Sequence, residues 1–503
     1  MTSPMKAFRS TAAVASMHNP FFGTTLQHTR GCYLGRQRVT GRPAYWSPAL
    51  LKERGLIRNT LVGVFVPQGG GKSTLAKSLV LRASALQSGI GQDGMPLRTR
   101  VQVNDHDTKS ADGRGEYALV ADHLMTPSVR LADIGSVNVF PMGMGLTPQD
   151  IAQHAQDIQC EVKGGLLDPF EVVATLVAAW KMASLRDENA ISQFIFERIL
   201  RSLTRQDVEH YQREIDVAIR SGSDEEKMDL LARQEFNDLI LRPTNLLDSA
   251  SIEMLQAAGL RCSGYWHDLI RGGRYGQVFN GTKSIASIFE DEYVFLDWVG
   301  VPSAAAAMLE GLIMNWMMTS HRSGRFSILP NLRINEEEPD TLGNYVLARA
   351  RDGMVRKARK WPTDMYSLAQ NADDYQNLGG KGSALNALGR SIDSAFGICM
   401  FGCQPPEDDV IHRITQRGIS DADAWALTGL RTGEWGIHIP GLPMDFVAHT
   451  LLPTEKKLVA SDQATRQRTA STPVSSIPSV QARLDRLVEL QSSADPYVIG
   501  VET

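Results

Sequence analysis

The chain has 503 residues, of which 43% are hydrophobic and 21% charged, so it has enough apolar material for a large folded core and two or three domain-sized units. A formal net charge of -4 argues against a surface built mainly to hold DNA or anionic lipid, and leaves open a local basic patch that contacts DNA. The five cysteines form no C-x-x-C pair, which argues against a disulfide framework or a zinc site and indicates a reducing compartment.

The N-terminal stretch carries Lys6 and Arg9 but lacks the apolar core of an export signal. We therefore expect 1–30 to be an extension of a cytoplasmic protein. The first strand pattern is 61–66 (LVGVFV), which is followed by a glycine turn and a helix pattern from Ser73. Strand, loop and helix in this order are the context that a phosphate-binding loop requires.

The turn QGGGKST nearly matches the P-loop pattern G-x-x-x-x-G-K-[ST], with Val66 in the place of the leading glycine. That glycine eases the turn at the strand exit and does not contact phosphate, so we expect nucleotide binding despite the change, with Pro67 fixing the turn. A glycine-rich turn that binds nothing is the alternative. The predicted nucleotide-binding residues are Gly69, Gly70, Gly71, Lys72, Ser73 and Thr74.

The chemistry of a bound triphosphate gives these residues separate roles. Glycines without Cβ atoms let backbone N–H groups converge on phosphate at a helix N-terminus. Lys72 is predicted to reach the β- and γ-phosphates, Ser73 to bind Mg²⁺ and Thr74 to lie near the α-phosphate. The predicted cofactors are therefore ATP and Mg²⁺.

The βαβα order is completed by a second strand at 99–104, a polar turn-rich segment and a helix from about Tyr117. This order predicts a parallel sheet. Strand signals then fade from about 147 to 259, where helical periodicity predicts an inserted all-α subdomain. They return at five places, which are 293–298, 331–334, 365–368, 398–401 and 435–439. The predicted fold class is α/β, a P-loop NTPase with a mainly parallel RecA-like sheet.

The stretch 298–320 holds a single charge, Glu310, and is about long enough to cross a bilayer. Because Pro302 interrupts it and helices that cover a parallel sheet are largely apolar, we interpret it as a sheet-covering helix. Likewise, Cys399 and Cys403 are interpreted as buried strand thiols.

The predicted division is an N-terminal extension (1–30), an ATPase core in two parts, a helical insertion and a C-terminal tail. The core parts are 31–146 and 261–453, the insertion is 147–260, and a Ser/Thr/Pro-rich linker with a short helix occupies 454–503.

Hydrolysis requires a carboxylate at the end of a neighbouring strand, to hold the magnesium hydration shell and orient water. The segment NLRINEEEPDTL supplies it in one of two registers, Asn335-Glu336 or Glu336-Glu337. We assign the magnesium and water roles to Glu336 and Glu337 together, with Glu336 as the predicted metal ligand. A merely charged loop is the alternative.

These motifs resemble the ATPases of conjugation and type IV secretion (VirB/TraC-like), in the HerA–FtsK superfamily of hexameric P-loop motors, and most of all an actinobacterial conjugative-transfer branch. The resemblance covers about 31–452. It includes GCYLGRQRVTGRPAYWSPALLKERGLIRN before the P-loop, VNDHDTKSADGRGEYALVADHL, where those proteins commonly have D-x-K-G-E-Y, and RGGRYGQVFNGTKSI and LRTGEWGIHIPG further on.

The resemblance also implies roles for two residues in ARKWPTDMYSLAQ. Gln370 would contact the γ-phosphate or the attacking water, and Arg359 would reach the nucleotide of a neighbouring subunit, where its permanent charge and forked donors suit a phosphate. From the residues alone, Arg359 lies in the basic run VRKARK and is typical of surface charge.

The function that the resemblance implies is a cytoplasmic ATPase that forms a homo-oligomeric, hexameric ring and energises transfer of DNA or protein through membrane-embedded secretion proteins. It would have no transmembrane segment of its own and would lie at the inner face of the membrane. Two alternatives stay open: a HerA/FtsK-like cytoplasmic DNA translocase, and a scaffold that binds nucleotide without hydrolysing it.

Overall fold

A computed structural model describes most of the chain. The described residues are 31–85, 87–90, 96–106, 115–126, 128–140, 146–185, 191–221, 249–275, 278–281, 288–289, 291–323, 332–336, 343–357 and 363–459. The predicted N-terminal extension and the C-terminal helix lie outside these ranges, as do the candidate site residues Glu337 and Arg359.

Eleven of the described strands form one sheet in the order β2-β1-β13-β12-β11-β3-β10-β9-β6-β8-β7, and β4 and β5 form a separate pair. The strands are β1 (Cys32–Gln37), β2 (Pro43–Trp46), β3 (Leu61–Phe65), β4 (Gln87–Ile90), β5 (Pro96–Arg98), β6 (Val101–Asp105), β7 (Val129–Arg130), β8 (Tyr293–Asp297), β9 (Leu332–Glu336), β10 (Asp364–Ala369), β11 (Ile398–Phe401), β12 (Glu434–His438) and β13 (Asp445–His449).

The middle of the sheet is parallel. Strands β11, β3, β10, β9, β6, β8 and β7 pair in parallel with their neighbours, whereas β12, β13, β1 and β2 add an antiparallel edge. Strands such as LVGVF are buried at every position, as expected where helices cover both faces of a sheet. The predicted α/β class with a mainly parallel sheet is confirmed.

Helices connect and cover these strands. They are α1 (Pro48–Glu53), α2 (Lys72–Ala85), α3 (Ala118–His123), α4 (Leu131–Ile134), α5 (Pro148–Lys163), α6 (Pro169–Ala183), α7 (Gln193–Arg201), α8 (Arg205–Ser221), α9 (Ser249–Arg271), α10 (Ser303–Ser323), α11 (Tyr345–Lys357), α12 (Ala384–Ser394), α13 (Asp408–Thr415), α14 (Asp421–Leu427) and α15 (Glu455–Leu458).

Helices α5 to α9 lie between β7 and β8, and the described residues of this segment contain no strand. Both α5 and α6 begin with a capping box and a proline in the first turn, which satisfy the free N–H groups of a helix start. Their apolar residues join the core on one face of the sheet. Whether these helices form a separate subdomain stays a prediction.

The sheet separates two cores, and alternation along β3 shows how. Val62 and Val64 pack with Leu75 and Leu79 of α2 on one face, while Phe65 belongs to the core on the other. Helix α10 packs in that second core, in agreement with its prediction as a sheet-covering helix. None of the helices, over the residues described, has an apolar stretch long enough to span a membrane.

Strands β1, β2 and β13, which with β12 form the antiparallel side of the sheet, are absent from the sequence-based prediction. A buried arginine joins this edge to α2. The guanidinium of Arg82 donates to both carboxylate oxygens of Glu455, at 2.7 and 2.6 Å, and to the Thr450 carbonyl at 2.6 Å. The C-terminal end of the described fold is thereby fixed to the helix that follows the glycine loop.

Candidate nucleotide-binding site

The glycine loop connects the buried strand β3 to helix α2. Gly69 and Gly71 have φ angles of +81° and +98°, a backbone region that side-chain-bearing residues rarely adopt. The Gly70 N–H donates to the Pro67 carbonyl at 3.0 Å and closes a tight turn. The three glycines therefore allow the chain to leave the strand and enter the helix within six residues.

The loop leaves a group of backbone donors free at the start of α2. The N–H of Leu75 donates to the Gly71 carbonyl at 3.0 Å, and no described group accepts from the N–H groups of residues 71–74. Unpaired N–H groups at a helix N-terminus carry partial positive charge and bind phosphate. Lys72, Ser73 and Thr74 are half-buried in the same turn, so the predicted nucleotide-binding residues lie together.

The structure accounts for Val66 in the place of the usual leading glycine. Its side chain is 1% exposed. A Cβ added at Gly70 would lie 2.1 Å from Val66 Cγ2, and one added at Gly402 would lie 2.3 Å from the same atom. Two other glycines thus leave the space that the valine fills. The sequence reasoning missed Gly402, which is distant from the loop in the chain.

The strand ends beside the loop bring two further candidates to the same edge of the sheet. In the parallel register, Phe65 of β3 lies opposite Ala369 of β10, and Leu368 of β10 lies opposite Glu336 of β9. Gln370, half-buried, directly follows β10. Open parallel sheets bind ligands at the carboxyl ends of their strands, which is where these residues lie.

Glu336 points to the α2 face of β9, since Ile334 and Leu332 on that face pack in the core with α2. The side chain is 2% exposed, and the Tyr117 hydroxyl donates to its Oε1 at 3.0 Å. Burial first, and then the nearby Glu116 carboxylate, raise the pKa of Glu336 to about 7 against the lowering effect of Lys72 and Lys77. A carboxylate that cannot easily hold its charge here would gain from a bound cation.

Asn335, the other half of one predicted pair, points to the opposite face of β9. Its Oδ1 accepts hydrogen bonds from Asn104 at 2.7 Å and from Arg333 at 2.8 Å. Of the pair Asn335-Glu336, therefore, only Glu336 faces the glycine loop and its helix. The catalytic and metal roles of these residues stay predictions.

On that opposite face, Glu310 of α10, the single charge of 298–320, lies in a buried cluster that sequence reasoning did not foresee. Glu310 is 0% exposed and lies 2.9 Å from His106 Nε2, 3.3 Å from Arg351 and 3.7 Å from Arg333. Burial would raise the pKa of Glu310, but Arg351, His106 and Arg333 outweigh it and lower the pKa to about 2. Glu310 is therefore charged and paired within the protein.

The site offers the ligands that magnesium prefers, a hydroxyl at Ser73 and a carboxylate at Glu336. Among the described residues no group of three or more His, Cys, Asp and Glu side chains could hold a metal by itself. Magnesium bound with a nucleotide takes most of its ligands from phosphates and water, so one hydroxyl and one carboxylate fit that mode.

No protein-family model and no curated protein sequence matches the chain, but solved structures match it. VirB4 of Thermoanaerobacter pseudethanolicus aligns with a TM-score of 0.54 at 13% sequence identity, covering 86% of this chain and 99% of VirB4. Two structures of the plasmid coupling protein TrwB also align. The TM-score is 0.43 for its complex with a non-hydrolysable GTP analogue and 0.42 for its complex with ADP and Mg²⁺. Each alignment has 13% identity and covers 86% of this chain and 92% of TrwB.

The chain shares the fold of VirB4. The α/β P-loop fold that the sequence resemblance predicted is confirmed at this level. A shared fold does not fix a function, which has to come from the site.

Proposed function

We propose that the chain is a P-loop ATPase that binds Mg-ATP at residues 69–74 and hydrolyses it with the aid of Glu336. One juxtaposition supports this proposal: unpaired N–H groups and Lys72 at the start of α2, and a buried carboxylate at the same edge of the sheet, two strands away. The first is a cradle for phosphate, and the second is a base or water-orienting group beside it.

The residues divide the work of hydrolysis. The amides of the loop and Lys72 would hold the phosphates, and Ser73 with Glu336 would hold Mg²⁺, which when bound neutralises phosphate charge. Glu336 and Gln370 would orient a water whose oxygen forms a bond to the γ-phosphorus. The bond from that phosphorus to the bridging oxygen breaks, ADP leaves with the electron pair, and the proton of the water passes to the carboxylate or to the phosphate product.

The cellular role that we propose is to energise conjugative or type IV secretion transfer of DNA or protein. The sequence resemblance to ATPases of these systems and the fold shared with VirB4 support it. The working form would be a hexameric ring at the inner face of the cell membrane, docked on membrane-embedded secretion proteins, in which Arg359 of one subunit approaches the nucleotide of the next.

Steady-state phosphate release tests this proposal, with Lys72→Ala as the site variant and Lys456→Ala, an exposed lysine of α15, as its matched control. We expect turnover that Lys72→Ala abolishes and Lys456→Ala leaves unchanged. If Arg359 acts between subunits, specific activity rises with protein concentration as subunits associate. If the wild type releases phosphate no faster than the background without protein, the non-hydrolysing scaffold is favoured. Turnover that DNA stimulates without membrane partners would favour the cytoplasmic translocase.

A further inference from the structure

The segment Gly115-Glu116-Tyr117 resembles a family motif, but the proposed reaction gives it no role. It follows β6 and is fixed by the ends of two strands. The Gly115 N–H donates to Asp297 Oδ2 at 3.0 Å, and the Tyr117 N–H donates to Asp105 Oδ2 at 2.8 Å. A Cβ at Gly115 would lie 2.3 Å from Asp105 Oδ2, so the approach requires glycine. The backbone of this segment is therefore held at the carboxyl edge of the sheet.

The side chain of Tyr117 connects the segment to the candidate catalytic carboxylate. It is 1% exposed, and its hydroxyl donates to Glu336 Oε1 at 3.0 Å. This is the one hydrogen bond that a described residue makes to that carboxylate. Tyr117 thus fixes one oxygen of Glu336 and leaves the other as the oxygen that would meet water.

The side chain of Glu116 connects the same segment to the phosphate-binding helix. Its Oε1 lies 2.8 Å from the ammonium of Lys77, and both side chains are buried. Lys77 lies on α2, five residues after Lys72, and its ammonium also lies 5.5 Å from the centre of the Tyr117 ring. Buried ion pairs are costly to form and to break, so this contact constrains where α2 lies relative to the segment.

We propose that Glu116 and Tyr117 are positioning residues for Glu336, which tie its carboxylate to the helix that holds the phosphates. This inference rests on the proposed function and deepens it. Two adjacent residues of one segment make two different contacts. Tyr117 contacts Glu336, and Glu116 contacts helix α2 through Lys77. The distance between the attacking water and the γ-phosphate is then set by side chains that do not touch the nucleotide.

Tyr117→Phe removes the hydroxyl and keeps the ring, so it tests the contact with little risk to folding. We expect kcat to fall by about 10- to 100-fold, because misplacing a catalytic group has effects of this size. The KM for ATP and the affinity for ADP should stay at wild-type values, and the melting temperature should fall by only a few degrees, since one buried hydrogen bond contributes about 0.5–1.5 kcal/mol. Tyr293→Phe is the matched control, since Tyr293 is a buried strand residue whose hydroxyl donates to the Ser84 carbonyl at 3.5 Å, and it should retain full kcat.

Glu116→Gln adds an independent arm, because it keeps the shape and removes the charge that holds Lys77. We expect Glu116→Gln to lower kcat. Because both residues act through Glu336, kcat of the double variant should be higher than the product of the two single fold-losses predicts. If the two fold-losses in kcat simply multiply in the double variant, the inference is overturned and the proposed function stays intact. The same holds if Tyr117→Phe has wild-type kcat while Lys72→Ala is inactive. Absence of turnover in the wild type would overturn both.

Discussion

Two buried glutamates on opposite faces of the same sheet behave in opposite ways. Glu310 of α10 and Glu336 of β9 are 0% and 2% exposed, so both lose hydration to a similar extent. Yet the pKa of Glu310 is lowered to about 2, whereas that of Glu336 is raised to about 7. The difference lies in their neighbours, since depth of burial is the same.

The charged groups around the two glutamates differ in sign. Glu310 has two arginines and a histidine around it, so its charge is neutralised within the protein. Glu336 has a second carboxylate, Glu116, close enough to oppose its ionisation, and the lysines that lower its pKa do not compensate. A buried acid that is left short of positive charge is a candidate for binding a cation or moving a proton. Glu310 is therefore paired within the protein, and Glu336 stays the candidate for the site.

Removing the charge of Glu336 tests its proposed role in hydrolysis. Glu336→Gln keeps the shape of the side chain and leaves the glycine loop intact, so the affinity for ADP without magnesium should stay near the wild-type value. Turnover should fall by about 10²- to 10⁴-fold, the usual contribution of a positioned acid or base. Phosphate release at saturating Mg-ATP measures it, with Glu407→Gln, an exposed glutamate before α13, as the control. Equal turnover in wild type and Glu336→Gln would remove Glu336 from the mechanism.

The converse change is Glu310→Gln, which leaves Arg351 and Arg333 buried without their shared counter-ion. Removing one partner of a buried ion pair costs about 3–5 kcal/mol. Urea denaturation should show a loss of this size in the free energy of unfolding. A loss below about 1 kcal/mol, the value for exposed pairs, would mean that the cluster is not a structural element.

The two glutamates should also respond to pH with opposite sign. Stability from Glu310 is present above the unfolded-state pKa of about 4.5 and is lost as pH falls towards 2. Glu336 holds a proton more tightly when folded, so its contribution is present below about 4.5 and is lost as pH rises to about 7.

At pH 8 without nucleotide, Glu336→Gln should therefore be more stable than the wild type, by at most about 3 kcal/mol. The advantage should shrink as pH falls to 4.5. Thermal unfolding of both proteins from pH 4.5 to 8 follows the difference. An advantage that does not change with pH would contradict the assigned pKa.

The smallest expected effect concerns the space around Val66. Gly402→Ala places a Cβ where the Val66 side chain lies and should cost about 1–3 kcal/mol, as overpacking does. It should also weaken ATP binding, because Val66 leads into the loop. Gly380→Ala, where a Cβ meets nothing within 4 Å, is the control. Because the two side chains compete for one space, Val66→Gly should cost less stability in the Gly402→Ala background than in the wild type, and equal costs would contradict the steric explanation.

The sequence was sufficient for the local parts of this fold. Residues 61–66 were predicted as a strand, and β3 is Leu61–Phe65, because an apolar run followed by three glycines and K-S-T leaves few alternatives. Residues 398–401 coincide with β11. Alternation also requires neighbours such as Asn335 and Glu336 to point to opposite faces, but it does not say which one faces the loop.

What the sequence could not supply are contacts between distant segments. Gly402 makes room for Val66, Tyr117 reaches Glu336, and Glu310 finds its arginines on β9 and α11, and no local pattern encodes any of these pairs. Strands β1 and β13 were missed for a related reason, since they pair with each other from distant parts of the chain. The candidate site thus combines a local motif, the glycine loop, with contacts between segments that are distant in the chain.

Equilibrium titration of the purified chain with ATP and with ADP, in the presence of magnesium, measures directly whether the glycine loop binds nucleotide. We predict saturable binding of both nucleotides to the wild type and its loss in Lys72→Ala, as expected if the loop holds polyphosphate despite Val66. Failure of the wild type to bind either nucleotide, or equal binding by Lys72→Ala, would contradict it.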